Sequence, residues 1–291
     1  MSEAAGAARI GFIGLGSMGA PMAKRLLDWP GGLTVCDMRA EAVTPFTDAG
    51  AESASSAAEL AAKCAVISVV VVDDAQVRQV VGELLETAAP GTTVAVHSTI
   101  SDSTAVELAA RCADHGVELV DAPVSGGAPG ANRGALAVMV GGSETAFARV
   151  REPFGCFGDL IVHAGPVGAG TRMKLARNLV HFVAFTAATE AQRLAEAAGL
   201  DITTLGKVVR HSDAVTGGPG AIMLRDRTGP IAEGDFWLPI MSHVRGLGDK
   251  DLALVLDLGK RLGIDLPLAA LAREHLGPGL GVPQAPDEES R

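Results

Sequence analysis

The sequence contains only four cysteines among 291 residues, and no two of them form a CxxC pair. This spacing favours buried thiols in a reducing compartment over a disulfide framework or a zinc site. The longest apolar run, residues 64–72, is far shorter than the roughly 20 residues that a membrane-spanning helix needs. The opening MSEAAGAARI lacks the basic start and apolar stretch of a secretory signal. We therefore expect a cytoplasmic protein with no metal and no membrane partner.

Basic residues are scarce relative to acidic ones. Lysine and arginine total 24 against 34 aspartates and glutamates, which gives a net charge of −10 and an isoelectric point near 5.2. An acidic surface repels phosphate backbones, so we expect no nucleic-acid partner. The hydrophobic fraction of 48% is ample for a packed core and excludes a disordered chain. The 36 glycines indicate that the backbone must approach something closely.

The first 165 residues alternate short β-rich runs with helical patterns. Several runs are nearly continuous in valine and isoleucine, which is typical of a parallel sheet covered by helices on both faces. The predicted strands are 10–13, 33–37, 66–72, 93–97, 118–121, 136–140 and 160–163. The predicted helices are 17–28, 57–63, 75–86 and 102–114. This alternation predicts an α/β fold with a doubly wound sheet.

The pattern changes after Gly165. Residues 167–198 read as one long helix whose interior glycines, Gly168 and Gly170, lie at its start, and Gly199 provides a stop. Further helices are predicted over 203–211, 247–262 and 268–276. We therefore expect a dinucleotide-binding domain over 1–165, an all-helical domain over 166–276 and a flexible tail over 277–291.

A GxGxxG motif, Gly14-Leu15-Gly16-Ser17-Met18-Gly19, follows the first predicted strand and opens a helix. In such a loop the first glycine permits a tight turn, the second lets the backbone approach a pyrophosphate, and the third lets helix and strand pack closely. Asp37 ends the second predicted strand, where a carboxylate accepts hydrogen bonds from both ribose hydroxyls. Its charge repels a 2′-phosphate, which favours NAD over NADP. Arg39 is either a solvated surface charge or a group that softens this preference.

A second glycine-rich motif, Asp121-Ala122-Pro123-Val124-Ser125-Gly126-Gly127, follows another predicted strand. The hydroxyl of Ser125 and the N–H groups of Gly126 and Gly127 together form a nest of donors that suits a carboxylate. A turn that only requires the flexibility of glycine explains the motif equally well.

The long predicted helix carries Lys174 and Asn178, which are spaced i and i+4 and therefore lie on one helix face. A lysine among Met173, Leu175 and other apolar neighbours is partly desolvated, which lowers the pKa of its amine and suits proton transfer. Asn178 is placed to hold that amine or a substrate oxygen. The alternative is a lysine that extends to solvent beside a surface asparagine.

Together these residues resemble the β-hydroxyacid dehydrogenase family, whose best-known member is 3-hydroxyisobutyrate dehydrogenase. The matching segments occur in the family's order over residues 9–276: GFIGLGSMGAPMAKRLL, DAPVSGG with GALAVMVGG downstream, GPVGAGTRMKLARNLV and KDLALVLD. The resemblance implies a Rossmann-type N-terminal domain joined by a long helix to an all-α C-terminal domain. It also implies hydride transfer between NAD, with NADP possible, and a short 3-hydroxy acid. Members form dimers or tetramers through the helical domains.

The resemblance further implies roles for single residues. Lys174 is similar in position to the family's catalytic lysine, and Asn178 to its substrate-orienting asparagine. Thr99 is similar to the residue that lines the nicotinamide site, and Lys250 to a late lysine near cofactor and substrate. The carboxylate-binding trio corresponds to Ser125, Gly126 and Gly127.

The sequence departs from the family pattern at four places. Arg177 stands where an asparagine is frequent, and it selects a longer or doubly acidic substrate if it points into the cleft. His97 stands where an aspartate is frequent. Asp73 and Asp74 replace a Leu-Pro-rich turn, and residues 239–249 lack the usual leucine-rich run. Cofactor and substrate contacts at these places are left open.

Three rival functions are compatible with the same motifs. A tartronate semialdehyde or glyoxylate reductase has the same fold and differs in the helical domain, around Phe236, Trp237 and His243. An imine reductase usually replaces the lysine by aspartate or tyrosine, whereas Lys174 is present here. A non-catalytic scaffold that retains the fold is a different class, and its members lose the lysine or acquire basic segments.

Overall fold

The structure is a computed structural model and describes residues 7–282 of the chain. The chain divides into two compact units, one that extends to Arg177 and one that begins at Asn178. The predicted boundary at Gly165 coincides with the end of the last strand, but the first turns of the long helix that follows belong with the first unit.

The first unit contains one sheet, with nine strands over the described residues. They are β1 (Ile10–Ile13), β2 (Leu33–Cys36), β3 (Glu52–Ser53), β4 (Val66–Val69), β5 (Thr93–Val96), β6 (Glu118–Asp121), β7 (Val124–Ser125), β8 (Leu136–Gly141) and β9 (Gly158–Gly165). Their order is β3-β2-β1-β4-β5-β6-β8-β7, and β9 pairs with β8. Strands β1 to β6 run parallel, whereas β8 is antiparallel to β6 and β9 runs parallel to β8.

The helices connect these strands and form the second unit. Those of the first unit are α1 (Gly19–Lys24), α2 (Ala40–Thr47), α3 (Ala57–Ala61), α4 (Asp74–Leu84), α5 (Asp102–Ala113), α6 (Gly127–Arg133) and α7 (Glu144–Phe154). The long helix α8 (Ala169–Ala197) belongs to both units. The rest of the second unit consists of α9 (Ile202–Thr216), a 3-10 helix (Gly218–Ile222), α10 (Trp237–Leu262) and α11 (Pro267–Gly279).

The predicted doubly wound α/β fold with a helical C-terminal part is confirmed. Strands β4 and β5 are buried along their whole length, as their continuous apolar sequences predict. Helices pack on both faces, so that Phe12 and its neighbour Ile13 belong to two different core clusters. This division follows from the alternation of side chains along a strand. Beyond β6 the sheet is no longer parallel, because β7 and the short α6 return the chain to β8, which is antiparallel to both β6 and β7.

Several elements depart from the sequence prediction. Helix α1 is shorter than the predicted 17–28, because after Lys24 the chain continues in three-residue turns such as the bond from the Leu26 N–H to the Ala23 carbonyl. Strands β3 and β7 have only two residues each, which is too few for a period to be visible. Three helices were not predicted: α2, which contains Pro45, the short α6, and α7.

The second unit has a small apolar core of Ile231, Met241, Leu280 and Val282. Helix α10 begins ten residues before the predicted helix 247–262. Pro239 does not prevent this earlier start, because it lies in the first turn of the helix, where proline is tolerated. The prediction of a flexible tail from residue 277 is wrong for residues 277–282, because α11 continues to Gly279 and the residues after it are buried in that core. The rest of the predicted tail lies outside the described residues.

Candidate active site

The predicted cofactor-binding residues of the first unit follow strands that all end at the same edge of the sheet. The glycine-rich loop follows β1, Asp37 follows β2 and Thr99 follows β5. Between β1 and β4 the strand order reverses direction. Open α/β sheets bind ligands at such a switch point, outside the carboxyl ends of the strands. The topology therefore places the predicted loop where a dinucleotide is expected.

The three glycines of the loop have three different environments. Gly14 has a φ of +92°, and a Cβ there would collide with the carbonyl oxygen of Val70. A Cβ at Gly19 would collide with the carbonyl oxygen of Gly14 and lie 3.3 Å from the ring of Phe12. A Cβ at Gly16, in contrast, would have no protein atom within 4 Å. Protein packing explains Gly14 and Gly19, and the open space at Gly16 fits the pyrophosphate of a dinucleotide.

Asp37 is held in place by the same loop. Its Oδ2 accepts a hydrogen bond of 2.7 Å from the N–H of Leu15, and its Oδ1 accepts bonds from the N–H and Nε of Arg39 at 2.9 and 3.2 Å. Burial alone would raise the pKa of Asp37, but these donors outweigh it and lower that pKa below its ordinary value. The carboxylate is therefore ionised and oriented. The side chain of Arg39 is exposed to solvent, and it also forms an ion pair with Asp37.

Thr99 lies two residues beyond the end of the predicted strand, and its side chain is exposed. The residue before it, Ser98, is buried and joins the ends of β4 and β5. Its hydroxyl donates to the carbonyl of Val71 at 2.7 Å and accepts from the N–H of Val71 at 2.9 Å. This role of Ser98 was not predicted. A small hydroxyl residue directly after a buried strand is the only signal for it in the sequence.

His97 is a core residue. Its Nδ1 lies 2.8 Å from the carbonyl oxygen of Ala122 and its Nε2 3.1 Å from Oγ of Ser68. Its ring also packs edge-on against Phe154 and Phe157. Burial lowers the pKa of His97 to about 4, although the Ala122 carbonyl opposes this shift. The ring is therefore neutral, and it links β4, β5 and the end of β6.

This burial predicts a pH dependence of stability. Because the folded-state pKa of about 4 lies below the ordinary 6.5, His97 should stabilise the fold fully above pH 6.5 and progressively less as the pH falls towards 4. The full effect is roughly 3 kcal/mol. In urea unfolding between pH 7 and pH 5, where His97 titrates in the unfolded chain, we expect His97→Gln to lose less stability than the wild type, while the exposed His211→Gln behaves like the wild type. Equal pH slopes in both variants would contradict this account.

Lys174 lies on the second turn of α8 and is half-buried. Its Nζ donates a 2.7 Å hydrogen bond to the carbonyl oxygen of Val124. Burial lowers the pKa of Lys174, and the positive charge of Arg177 lowers it further. Val124 directly precedes Ser125, so the structure brings the predicted catalytic amine to the predicted carboxylate-binding loop.

The predicted carboxylate trio forms a tight turn at the end of β7. Ser125 is half-buried and pairs with Ala137 of β8, while Gly126 and Gly127 are exposed. Both glycines have positive φ values, of 131° and 63°. Any residue with a side chain would be strained at these two consecutive positive φ values. The absence of side chains also leaves the backbone of Gly126 and Gly127 open to solvent. This geometry is compatible with both interpretations of the motif, a donor nest and a flexible turn.

Two predicted site residues belong to the second unit. Asn178 is half-buried and follows Lys174 by about one turn of α8. Lys250 is exposed, and its Nζ lies 3.3 Å from Oδ1 of Asp251. Both Lys250 and Asp251 lie in the middle of α10, whereas the predicted helix 247–262 placed them in its first turn.

The structure adds Asp121, whose side chain had no predicted role beyond opening a motif. This fully buried carboxylate accepts hydrogen bonds from the N–H groups of Gly168 and Thr171 at 2.7 and 2.6 Å. The contacts join residues 47 and 50 positions apart. No local sequence pattern indicates so distant a pairing.

Residues 7–282 offer neither a metal centre nor a membrane span. No group of three or more histidine, cysteine, aspartate or glutamate side chains is arranged to hold a metal ion within this range. None of the helices described here has the length and apolarity needed to cross a membrane.

The fold and the glycine-rich loop define a dinucleotide-binding protein. Residues 9–165 match the model of the NAD binding domain of 6-phosphogluconate dehydrogenase. Residues 168–279 match the model of the NAD-binding domain of NADP-dependent 3-hydroxyisobutyrate dehydrogenase. The chain belongs to the 3-hydroxyisobutyrate dehydrogenase family of β-hydroxyacid dehydrogenases.

Relatives of known sequence agree with this membership. An uncharacterised oxidoreductase of Mycobacterium tuberculosis is 57% identical over 97% of this chain and 96% of its own. A probable mitochondrial 3-hydroxyisobutyrate dehydrogenase of Dictyostelium discoideum is 35% identical over 91% of this chain and 83% of its own. The 2-(hydroxymethyl)glutarate dehydrogenase of Eubacterium barkeri is 32% identical over 91% and 87%.

Solved structures show the same fold. A Mycobacterium avium protein, provisionally described as an oxidoreductase, superimposes with a TM-score of 0.92 at 55% identity, over 95% of this chain and 100% of its own. An imine reductase of Streptomyces aurantiacus superimposes with a TM-score of 0.74 at 19% identity, over 94% and 95%. The second likeness concerns the fold alone.

Proposed function

We propose that this protein transfers hydride between a nicotinamide cofactor and the hydroxyl carbon of a short 3-hydroxy acid, with Lys174 as the general acid and base. The contact between Lys174 Nζ and the Val124 carbonyl carries this proposal. It holds a half-buried amine beside the loop in which Ser125, Gly126 and Gly127 would bind the substrate carboxylate.

The chemistry assigned to the protein is proton transfer. The neutral amine of Lys174 accepts the proton of the substrate hydroxyl during oxidation, and the ammonium returns it to the carbonyl oxygen during reduction. The bound nicotinamide would supply the hydride acceptor. Because burial and Arg177 both lower the pKa of Lys174, more of the amine is neutral near physiological pH than in an exposed lysine. Asn178 would orient the amine or the substrate oxygen from the next turn of α8.

The cofactor residues support NAD as the preferred dinucleotide. The amides of the loop 14–19 (Gly14, Leu15, Gly16, Ser17, Met18 and Gly19) would face the pyrophosphate, and Asp37 the adenosine ribose. Thr99 and Lys250 would complete the nicotinamide side, as the family resemblance implies. The ionised Asp37 repels the 2′-phosphate of NADP, while Arg39 is already bonded to that carboxylate.

Replacement of Asp37 by serine tests this preference. We expect weaker NADH binding, since hydrogen bonds to a charged group are worth about 1.5–3 kcal/mol. We also expect stronger NADPH binding, because the change removes the repulsion and frees the Arg39 guanidinium for a phosphate. Fluorescence titration with both reduced cofactors measures the two Kd values, with Asp48→Ser as the exposed control. An unchanged preference would remove Asp37 from the ribose site.

Arg177 supports a substrate with a second acidic group. Arg177 lies three residues after Lys174 on α8, so the two side chains are neighbours on the helix surface, and its positive charge lowers the pKa of Lys174. The Eubacterium barkeri relative takes its name from a dicarboxylic hydroxy acid. We therefore propose that the preferred 3-hydroxy acid carries a second carboxylate or a comparable anionic group.

A substrate panel tests the proposed activity. Purified protein is assayed with NAD and NADP against mono- and dicarboxylic 3-hydroxy acids, and in reverse with NADH and NADPH against tartronate semialdehyde, glyoxylate and cyclic imines. We expect oxidation of 3-hydroxy acids, with higher kcat/KM for the dicarboxylic members. Activity confined to the semialdehydes or imines would favour those rival functions. No change in cofactor absorbance with any compound, in either direction, would favour the non-catalytic scaffold.

We also propose that the protein is a homodimer or homotetramer. Helix α8 exposes Leu179, Phe182 and Phe185, each more than half accessible. These side chains recur at helical spacing, and exposed apolar stripes of this kind mark association surfaces. Sedimentation velocity should detect the oligomer, and Phe182→Glu should dissociate it.

A cytoplasmic location remains a prediction, supported by the free thiols of all four cysteines.

A further inference from the structure

Asp121 is the last residue of β6, and its buried carboxylate bonds to a distant part of the chain. Oδ1 accepts from the N–H of Gly168 at 2.7 Å, and Oδ2 accepts from the N–H of Thr171 at 2.6 Å. Both carboxylate oxygens are therefore occupied by backbone donors. Burial raises the pKa of Asp121 by more than these two bonds lower it, so an ionised group at this place is costly to keep.

The two donors belong to the start of α8. The first N–H groups of a helix have no partner within the helix, and here a side chain from the sheet supplies acceptors for two amides at this helix end. A negative charge at a helix N-terminus is also stabilised by the helix dipole. Asp121 thus fixes the start of α8 to the end of β6 in one orientation.

The backbone around this contact is packed too closely for side chains. A Cβ at Gly141 would collide with Oδ1 of Asp121 and lie 2.8 Å from the N–H nitrogen of Gly170. A Cβ at Gly170 would collide with the carbonyl oxygen of Met139 and lie 2.6 Å from that of Asp121. The first turn of α8 therefore packs directly against β6 and β8, and this close backbone contact, which we call the seat of α8, determines its position.

Lys174 lies three residues after Thr171, about one turn further along the same helix. Val124, which accepts the hydrogen bond from the Lys174 amine, lies three residues after Asp121. The chain thus forms a closed structural loop. Asp121 holds the start of α8, and Lys174 lies one turn further along that helix. The amine of Lys174 then bonds back to Val124, which follows Asp121 in the chain.

We propose that Asp121 is a positioning residue, whose carboxylate seats the first turn of α8 and thereby places the Lys174 amine against Val124 and the substrate loop. This inference rests on the proposed role of Lys174 as acid and base. Asp121 itself acts only through the helix that it holds.

Asp121→Asn tests the inference with little change in shape. The amide keeps one acceptor oxygen but turns an NH₂ group towards an N–H donor, so that one of the two bonds is lost. We expect kcat to fall about 10²-fold, the order that a displacement of 1 Å costs. Cofactor affinity should stay unchanged, because the loop at residues 14–19 is on other strands. In the Lys174→Ala background the same change should cost almost nothing further.

The pKa of Lys174 gives a readout that needs no substrate. Lysine amines carrying ¹³C-methyl groups are titrated by NMR, and Lys174→Ala assigns the signal. The wild-type pKa should lie below the ordinary value, and Asp121→Asn should raise it as the amine becomes more exposed. An unchanged titration in a folded Asp121→Asn protein overturns the positioning role.

Glu190 provides the matched control. It is also buried, and its carboxylate also accepts hydrogen bonds from two backbone N–H groups at the start of a helix, those of Leu268 and Ala269 of α11. Glu190→Gln should lower the melting temperature to an extent similar to Asp121→Asn, with normal kcat and a normal Lys174 titration. If both variants lose kcat equally, Asp121 has only a structural role.

Hydrogen exchange on the wild-type protein covers the case in which Asp121→Asn does not fold. The Gly168 and Thr171 amides should exchange as slowly as the amides of β6, because they open only with the sheet. Exchange as fast as that of a frayed helix end overturns the proposal. Full turnover in Lys174→Ala would instead contradict the proposed function, whereas loss of turnover there with normal turnover in Asp121→Asn contradicts the positioning role alone.

Discussion

Replacement of Lys174 by alanine is expected to remove nearly all turnover while leaving cofactor binding within a few-fold of the wild type. General acid–base catalysis contributes about 10²–10⁴ in rate, and the Lys174 amine is held at the Val124 carbonyl, directly before the proposed substrate loop. The dinucleotide loop and Asp37 follow β1 and β2, so their geometry should not depend on this side chain. The measurement is steady-state kinetics with the best compound of the panel, together with cofactor titration.

Two further variants make this result specific. Lys174→Arg keeps a positive charge but cannot become neutral at accessible pH, so it should be as inactive as alanine. Lys63→Ala removes an exposed lysine of the same unit that pairs with Glu59, and it should keep full turnover. An active arginine variant would mean that charge rather than proton transfer is what Lys174 contributes.

A methyl group at Gly16 is expected to produce the second large effect, this time on cofactor binding. The Cβ of Gly16→Ala would meet no protein atom within 4 Å, so folding should be unaffected. If the space holds a pyrophosphate, the methyl group overlaps it, and overpacking of this kind costs about 1–3 kcal/mol. That cost corresponds to about 5- to 150-fold in the Kd for NADH.

The control for this variant uses a glycine with the same open surroundings in the other unit. A methyl group at Gly220 would also have no protein atom within 4 Å, so Gly220→Ala should change neither melting temperature nor Kd. Thermal unfolding and fluorescence titration of both proteins give the answer. Unaltered NADH affinity in Gly16→Ala would show that the loop is only a turn.

The parts of the fold that depend on local pattern could be predicted from the sequence. Seven strands were predicted within three residues of their true ends, because valine and isoleucine runs such as that of β4 are buried on both faces. Helix α8 was predicted almost to the residue, since Gly168 and Gly199 flank it and no proline interrupts it. Short elements such as β7 gave no signal. Their existence depends on pairing with β8, which local sequence does not encode.

The candidate site shows the same division. Motif spacing predicted the loop 14–19, Asp37, Ser125 and Lys174 as separate groups. The meeting of Lys174 with Val124 joins residues 50 positions apart and follows only from the fold. The bond that Arg39 makes to Asp37 depends on the turn after β2. The sequence around His97 gave no indication of its environment, because burial decides whether a histidine titrates near neutral pH.

The seat of α8 on Asp121 has a practical consequence for dissecting the chain. A fragment that stopped at Gly165, where the sheet ends, would remove both backbone donors and open the Asp121 carboxylate to water. The end of β6 would then lose the contact that holds it, and the glycine backbone of β8 would lose the helix turn that packs against it. A fragment that retains the first two turns of the following helix should therefore have a higher melting temperature than one that stops at Gly165.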